Sequence, residues 1–175
     1  MTTTLNATTS NGLVVTPDNS GNVLLQYNGV AAPAFSAYLN TATQSVSSNT
    51  WTKVNLNAEV FDTANYFDST TNYRFTPLVA GYYQISGCVY GDATVTNPAS
   101  IGVAIYKNGT NFKQNLWAAS GASSVGQSSV STLVYLNGST DYIELYGRLG
   151  NGSGVVFLGD SSYQTYMSGC LLRGA

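Results

Sequence analysis

Between Val54 and Tyr90 the alternation of apolar and polar positions starts, stops and starts again. Val54, Leu56, Ala58 and Val60 alternate with Asn55, Asn57 and Glu59, the period of a half-buried strand. The stretch 61–75, FDTANYFDSTTNYRF, then mixes aromatics with Asp, Asn, Ser and Thr, which reads as a structured crossover built on turns. Pro77 and Gly81 bracket a short turn, and a strand resumes at Tyr82. There Tyr83, Ile85, Gly87 and Val89 point one way, and Tyr82, Gln84, Ser86, Cys88 and Tyr90 the other, with no charge on either side. An antiparallel strand ordinarily keeps one wet face. A strand dry on both faces needs a second burial partner, and another copy of this chain is expected to supply it.

The same pattern predicts strands over 34–40, 53–60, 82–91, 99–107, 111–118, 128–136, 141–148, 155–158 and 163–172. Asn108-Gly109 and Asn137-Gly138 are read as hairpin turns, Asn151-Gly152-Ser153-Gly154 as a flexible tip, and 119–126 as a long loop of small residues. No helical period appears. Short strands at this spacing predict an all-β fold, an antiparallel two-sheet jelly-roll sandwich. Ahead of it, Leu13, Val14 and Val15 and then Val23, Leu24 and Leu25 flank the turn cluster 17–22, so a short N-terminal β-hairpin is expected. Asn28-Gly29 and Pro33 read as a hinge. The chain thus divides into an arm with its hairpin, 1–32, and a head, 33–175. A lone hairpin is marginally stable, so those six apolar residues are expected to attach the head to something larger.

Composition narrows the function. At 175 residues the chain suits one domain with a sizeable core. Hydrophobic residues make up 43%, but charged ones only 8% against the usual quarter, so the surface is solubilised by Ser, Thr, Asn, Gln and Tyr. Six cations and a net charge of −2 leave no basic patch, and nucleic acid is not an expected partner. No apolar run is long enough for membrane insertion, and MTTTLNATTSNG lacks the features of a secretory signal.

With no histidine, a Ser–His–Asp or Cys–His site is excluded and the usual zinc ligand is missing. Asp62 and Asp68 are read as closing turns rather than as paired catalytic carboxylates. Asp92, Asp141 and Asp160 lack the spacing of a calcium loop. No enzyme activity, metal or cofactor is expected. Cys88 and Cys170 are read as reduced, partly buried thiols.

Phe61-Asp62, Asn65, Phe67-Asp68 and then Tyr73-x-Phe75-Thr76-Pro77-x-x-Ala80-Gly81-x-Tyr83-x-Ile85-Ser86 resemble the core signature of the complement globular-head (C1q) domain. The likeness extends to Ala34-Phe35-Ser36-Ala37, Ile105-Tyr106-Lys107-Asn108-Gly109, Leu136-Asn137-Gly138 with Asp141-Tyr142-Ile143, and Tyr166-Met167-Ser168-Gly169-Cys170-Leu171-Leu172. It covers about residues 33–173 in order. Met167 and Cys170 stand where that family has aromatics, and no collagen-like stalk precedes the head. The family is a trimeric jelly roll of the tumour-necrosis-factor-like superfamily. The resemblance therefore implies a homotrimer in which strands 82–91 and 163–172 lie side by side facing a threefold axis. Tyr82, Gln84, Ser86, Cys88 and Tyr90, with Met167, Gly169 and Leu171, are the expected interface.

TPDNSGNVLLQYNG is similar to segments that precede heads in phage tail and surface proteins. Together these features lead to a trimeric virion surface protein made in the host cytoplasm. It would be a phage capsid or tail decoration protein, or a fibre head, held to other virion proteins by its arm and able to bind a cell-surface glycan or protein. The alternative is an extracellular, secreted recognition module of the same family that binds glycan or protein ligands.

Overall fold

The computed structural model describes residues 26–27, 30–118 and 125–175, and of 26–27, 30–31, 93–99, 125 and 151–154 it describes the backbone alone. The expected hairpin of Leu13, Val14, Val15, Val23, Leu24 and Leu25 lies outside the described residues. The first strands are β1 (Gln26–Tyr27) and β2 (Val30–Ala31), paired to each other across the position read as a hinge. Then come β3 (Ala34–Tyr38), β4 (Thr43–Ser45), β5 (Thr52–Lys53), β6 (Ala58–Asp62), β7 (Phe67–Asp68) and β8 (Arg74–Phe75). Five longer strands follow: β9 (Gly81–Lys107), β10 (Thr110–Ala118), β11 (Val125–Leu136), β12 (Ile143–Leu158) and β13 (Tyr166–Gly174).

All pairings are antiparallel, and they build the two sheets of a jelly roll. One sheet runs β6-β3-β13-β9-β11, using the first half of β9. The other runs from β10 through the second half of β9 to β12, and then to β5 and β8. β9 therefore belongs to both layers. Among the described residues there is no helix, so none is long and apolar enough to cross a membrane.

Between the layers lies a core led by aromatics from the crossover. Phe35 stacks on Phe75 at 4.2 Å and on Phe67 at 5.3 Å, and Tyr83 meets Phe75 edge-on at 5.6 Å. Tyr83 reaches this depth because its hydroxyl donates to the Val79 carbonyl at 2.7 Å, which removes the penalty of an unpaired buried polar group. Burying each such side chain stabilises the fold by roughly 1.5–3 kcal/mol relative to exposure.

Three local expectations are corrected. The strand read over 53–60 is two short ones, because β5 pairs with β12 in one sheet and β6 with β3 in the other. Val54 and Leu56 are buried where the chain crosses between layers, whereas Val60 is exposed. Residues 151–154 are no hairpin tip, because they continue β12, with Gly152 opposite Val95 and Ser153 opposite Thr94. Asn137-Gly138 is likewise not a hairpin, because β11 and β12 leave it into different sheets. Asn108-Gly109 does form one, with φ of 52° and 75° turning β9 into β10.

Candidate interaction face

Strand alternation places Tyr83, Ile85 and Val89 in the core and turns Tyr82, Gln84, Ser86, Cys88 and Tyr90 to the outside of the first sheet. Neighbouring strands extend this outer face in register. On one side Tyr82 meets Tyr135, Gln84 meets Leu133 and Ser86 meets Ser131. On the other side Gln84 meets Cys170, Ser86 meets Ser168 and Cys88 meets Tyr166. Ser36 and Tyr38 of β3 carry the face one strand further. No Asp, Glu, Lys or Arg occupies any of these positions, and the nearest charge on this side is the exposed Arg173, which stands opposite Tyr82 after the register shift at the end of β13.

Its polar groups satisfy one another. Gln84 Nε2 donates to Ser131 Oγ at 2.6 Å, and the hydroxyls of Ser86 and Ser131 lie 3.0 Å apart. The Gln127 amide donates to Cys88 Sγ at 2.9 Å, and Cys88 is only 1% exposed. Burial pushes the Cys88 thiol upward, with the Gln127 hydrogen bond opposing it. The rings of Tyr82 and Tyr135 sit 5.5 Å apart, yet these two residues are 49% and 42% exposed, and Leu133 is 55% exposed. Around Tyr82, Leu133 and Tyr135 this apolar and neutral-polar sheet face is left uncovered by the described residues.

The last strand contributes a different set from the one expected. Met167, Gly169 and Leu171 stand opposite Gly87, Ile85 and Tyr83, the inward set of β9. Laterally paired residues share a face, so Met167 and Leu171 are buried in the core instead of facing out. Gly169 belongs to the same side, since a Cβ there would lie 2.5 Å from Ile85 Cδ1 and 3.0 Å from Phe35 Cε1. Tyr166, Ser168 and Cys170 take the outer positions. YQTYMSGCLL is uncharged at odd and even positions alike, so the pattern alone could not choose between them. Leu133 and Tyr135 were missed. Their signal was the alternation of 130–136, in which Val130, Val134 and Leu136 take the buried side and leave these two outside.

A second apolar surface flanks the first. β10 borders one sheet and β11 the other, and Asn115 Nδ2 donates to the Ser129 carbonyl at 3.1 Å across the gap between them. All of β10 is exposed, including Phe112, Leu116 and Trp117. Two cations stand here, the exposed Lys113 of β10 and Lys107 at the end of β9. Lys107 pairs with Asp141 at 2.9 Å and donates to the Tyr135 carbonyl at 2.8 Å.

The acidic residues serve the backbone. Asp62 accepts from the amides of Ala64 and Phe67, and Asp68 from those of Thr70, Thr71 and Asn72 and from the Asn72 side chain. The Thr71 amide foremost, with those of Thr70 and Asn72, holds the Asp68 carboxyl well below the usual carboxylate range against the opposing effect of desolvation. Burial alone would raise Asp141, but hydrogen bonds from Asn108, Lys107 and Asn137, together with the Lys107 charge, outweigh it and hold that carboxyl low. Among the described residues no three His, Cys, Asp or Glu side chains gather as a metal-binding group.

No protein-family model and no curated protein matches the sequence. Solved structures do match in shape. Eiger TNF from S. frugiperda is similar with a TM-score of 0.60 at 11% identity, over 82% of this chain and 94% of that one. Murine APRIL at pH 8.0 is similar with a TM-score of 0.56 at 14% identity, over 81% of this chain and 99% of that one. At such identities the likeness is one of fold, and the fold is the TNF-like jelly roll.

Proposed function

We propose that this chain is a non-enzymatic head that works as a homotrimer on the surface of a virion, as a capsid or tail decoration or a fibre head, with residues 1–32 as its attachment arm. One observation carries the self-association: the neutral centre of the outer face of the first sheet, with Tyr82, Leu133 and Tyr135 left open to water. That face and the exposed β10 edge bear different residues, so a contact between the face of one copy and the β10 edge of the next is heterologous. Heterologous contacts form a ring when their rotation closes and a filament when it does not, and the resemblance implies a closed ring of three members. A permanent contact of this kind buries about 2,000 Å² or more, each Å² of apolar area removed from water being worth roughly 25 cal/mol before the costs of association.

The virion role is supported by the low-charge, Ser/Thr/Asn-rich composition and by the separate apolar pattern of the arm. The second reading, an extracellular recognition module that binds a glycan or protein, is favoured by the fold likeness to Eiger TNF and APRIL.

Light scattering on the full chain tests the trimer, and a stable monomer at micromolar concentration would sink it. Deleting residues 1–32 tests the arm. The head should stay folded and soluble but no longer incorporate into the particle, and normal incorporation would refute the attachment role.

A further inference from the structure

The crossover that carries β7 and β8 walls an open cavity of about 290 Å³ on the edge of the second sheet, lined by Asp68 and Arg74 together with Asn65, Tyr66, Phe67, Asn72, Thr76 and Leu78. Among the described lining residues Arg74 is the one cation and Asp68 the one anion. Asp68 stands opposite Arg74 in the β7–β8 register, yet the two make no ion pair. The Asp68 carboxylate is drawn into its own loop by three backbone amides and the Asn72 side chain. The Arg74 guanidinium lies over the Tyr142 ring, 4.3 Å from its centroid, with no hydrogen-bond or ion-pair partner among the described residues. None of its five N–H donors is engaged by a described residue. The Asn65 amide and the Thr76 hydroxyl likewise have no partner among the described residues, and Asn72 commits its amide nitrogen to Asp68 while its side-chain oxygen stays unengaged.

From this arrangement we infer that the cavity is a binding site for a sugar residue bearing a carboxylate, of the hexuronic or nonulosonic acid class. An arginine fork matches a carboxylate with two parallel hydrogen bonds. The neutral groups of Asn65, Asn72 and Thr76 include both donors and acceptors, as a polyol requires. Tyr66, whose ring leans on Phe75 at 6.4 Å, and the exposed Leu78 supply apolar walls for the C–H faces of a sugar ring. Free phosphate fits less well. The loop amides that would cradle it already point at Asp68, whose negative charge they spread and hold in place. The site lies within one protomer, so its test is independent of the trimer and of the arm.

Titration of the full chain by saturation-transfer NMR, with methyl β-glucuronide and the methyl α-glycoside of N-acetylneuraminic acid as probes, decides the matter. Methyl β-glucoside and acetate are the controls. At least one acidic glycoside should saturate in the millimolar range, with both controls weaker by about tenfold or more. Arg74→Gln should abolish that saturation, and Thr76→Val should weaken it several-fold, while the melting temperature of Thr76→Val stays unchanged. Lack of saturation by both acidic probes, equal binding of the glucoside or of acetate, or full binding by Arg74→Gln would each overturn the assignment.

Discussion

Cys88 and Cys170 point out of the same sheet from adjacent strands but stand four residues apart in register, Cys170 opposite Gln84 and Cys88 opposite Tyr166. At about 3.3 Å per residue their α-carbons are separated by roughly 13 Å, far beyond what a disulfide bridges. Both are free thiols. Non-reducing and reducing mass spectra of the protein should therefore agree. Cys170, partly exposed, should alkylate first, and Cys88, buried and with its thiol pushed up, only on unfolding. Rapid modification of Cys88 in the native state would contradict the packed face described here.

Ser86→Glu places a charge in the neutral centre of the outer face. In a closed ring the copies would gather like charges away from water, at a cost of several kcal/mol. The scattering mass should fall to that of a monomer with the β-type circular dichroism retained. Asn55→Glu, at an exposed site off that face, should leave the mass unchanged. Gly169→Glu should behave differently from Ser86→Glu. Its side chain would collide with Ile85 and Phe35, so the protein should lose its fold along with its association.

Two turn glycines separate backbone strain from steric conflict. Gly138 has φ of 69°, and a Cβ there would come 2.3 Å from the Ala80 amide nitrogen. Gly109 has φ of 75°, but its nearest neighbour would be Tyr142 Oη at 3.5 Å. Gly109→Ala should cost about 1–2 kcal/mol, the left-handed penalty alone. Gly138→Ala should cost more, about 3 kcal/mol or above, because backbone must also move. Urea titrations of the two variants check the order.

Stability should respond to acid and ignore neutral pH. Asp68 and Asp141 have carboxyls held below the ordinary value in the folded protein. A depressed carboxyl contributes stability that is complete above its unfolded pKa, about 4, and is lost as pH falls through the folded value. With no histidine, no side chain of ordinary pKa titrates between about pH 5 and pH 8. The melting temperature should be flat across that window and fall below about pH 4. A marked change between pH 6 and pH 7 would contradict this account. Asp141→Asn should remove part of the acid sensitivity and also lower stability at pH 7, since it breaks the tie to Lys107.

The sequence by itself determined what is settled within a few residues. Asp62 and Asp68 close turns with partners two to five positions away, and Asn108-Gly109 turns the chain by its own positive φ angles, so types and spacing sufficed to read them. The inward set Tyr83, Ile85 and Val89 was legible for a similar reason, because one strand's period needs no partner to define it. Tertiary structure alone decided the rest. Asn137-Gly138 is a turn by its chemistry, but whether the flanking strands pair depends on which half of β9 each one meets. Val54 to Val60 alternates as one strand should, yet it is divided between two sheets. The face of β13 rests on pairing Gly169 with Ile85 rather than with a neighbour one residue along. In an uncharged strand both registers bury equally well by composition, and a shift of one residue exchanges the faces. The choice is made by the space Ile85 and Phe35 leave, which only a glycine at 169 fits.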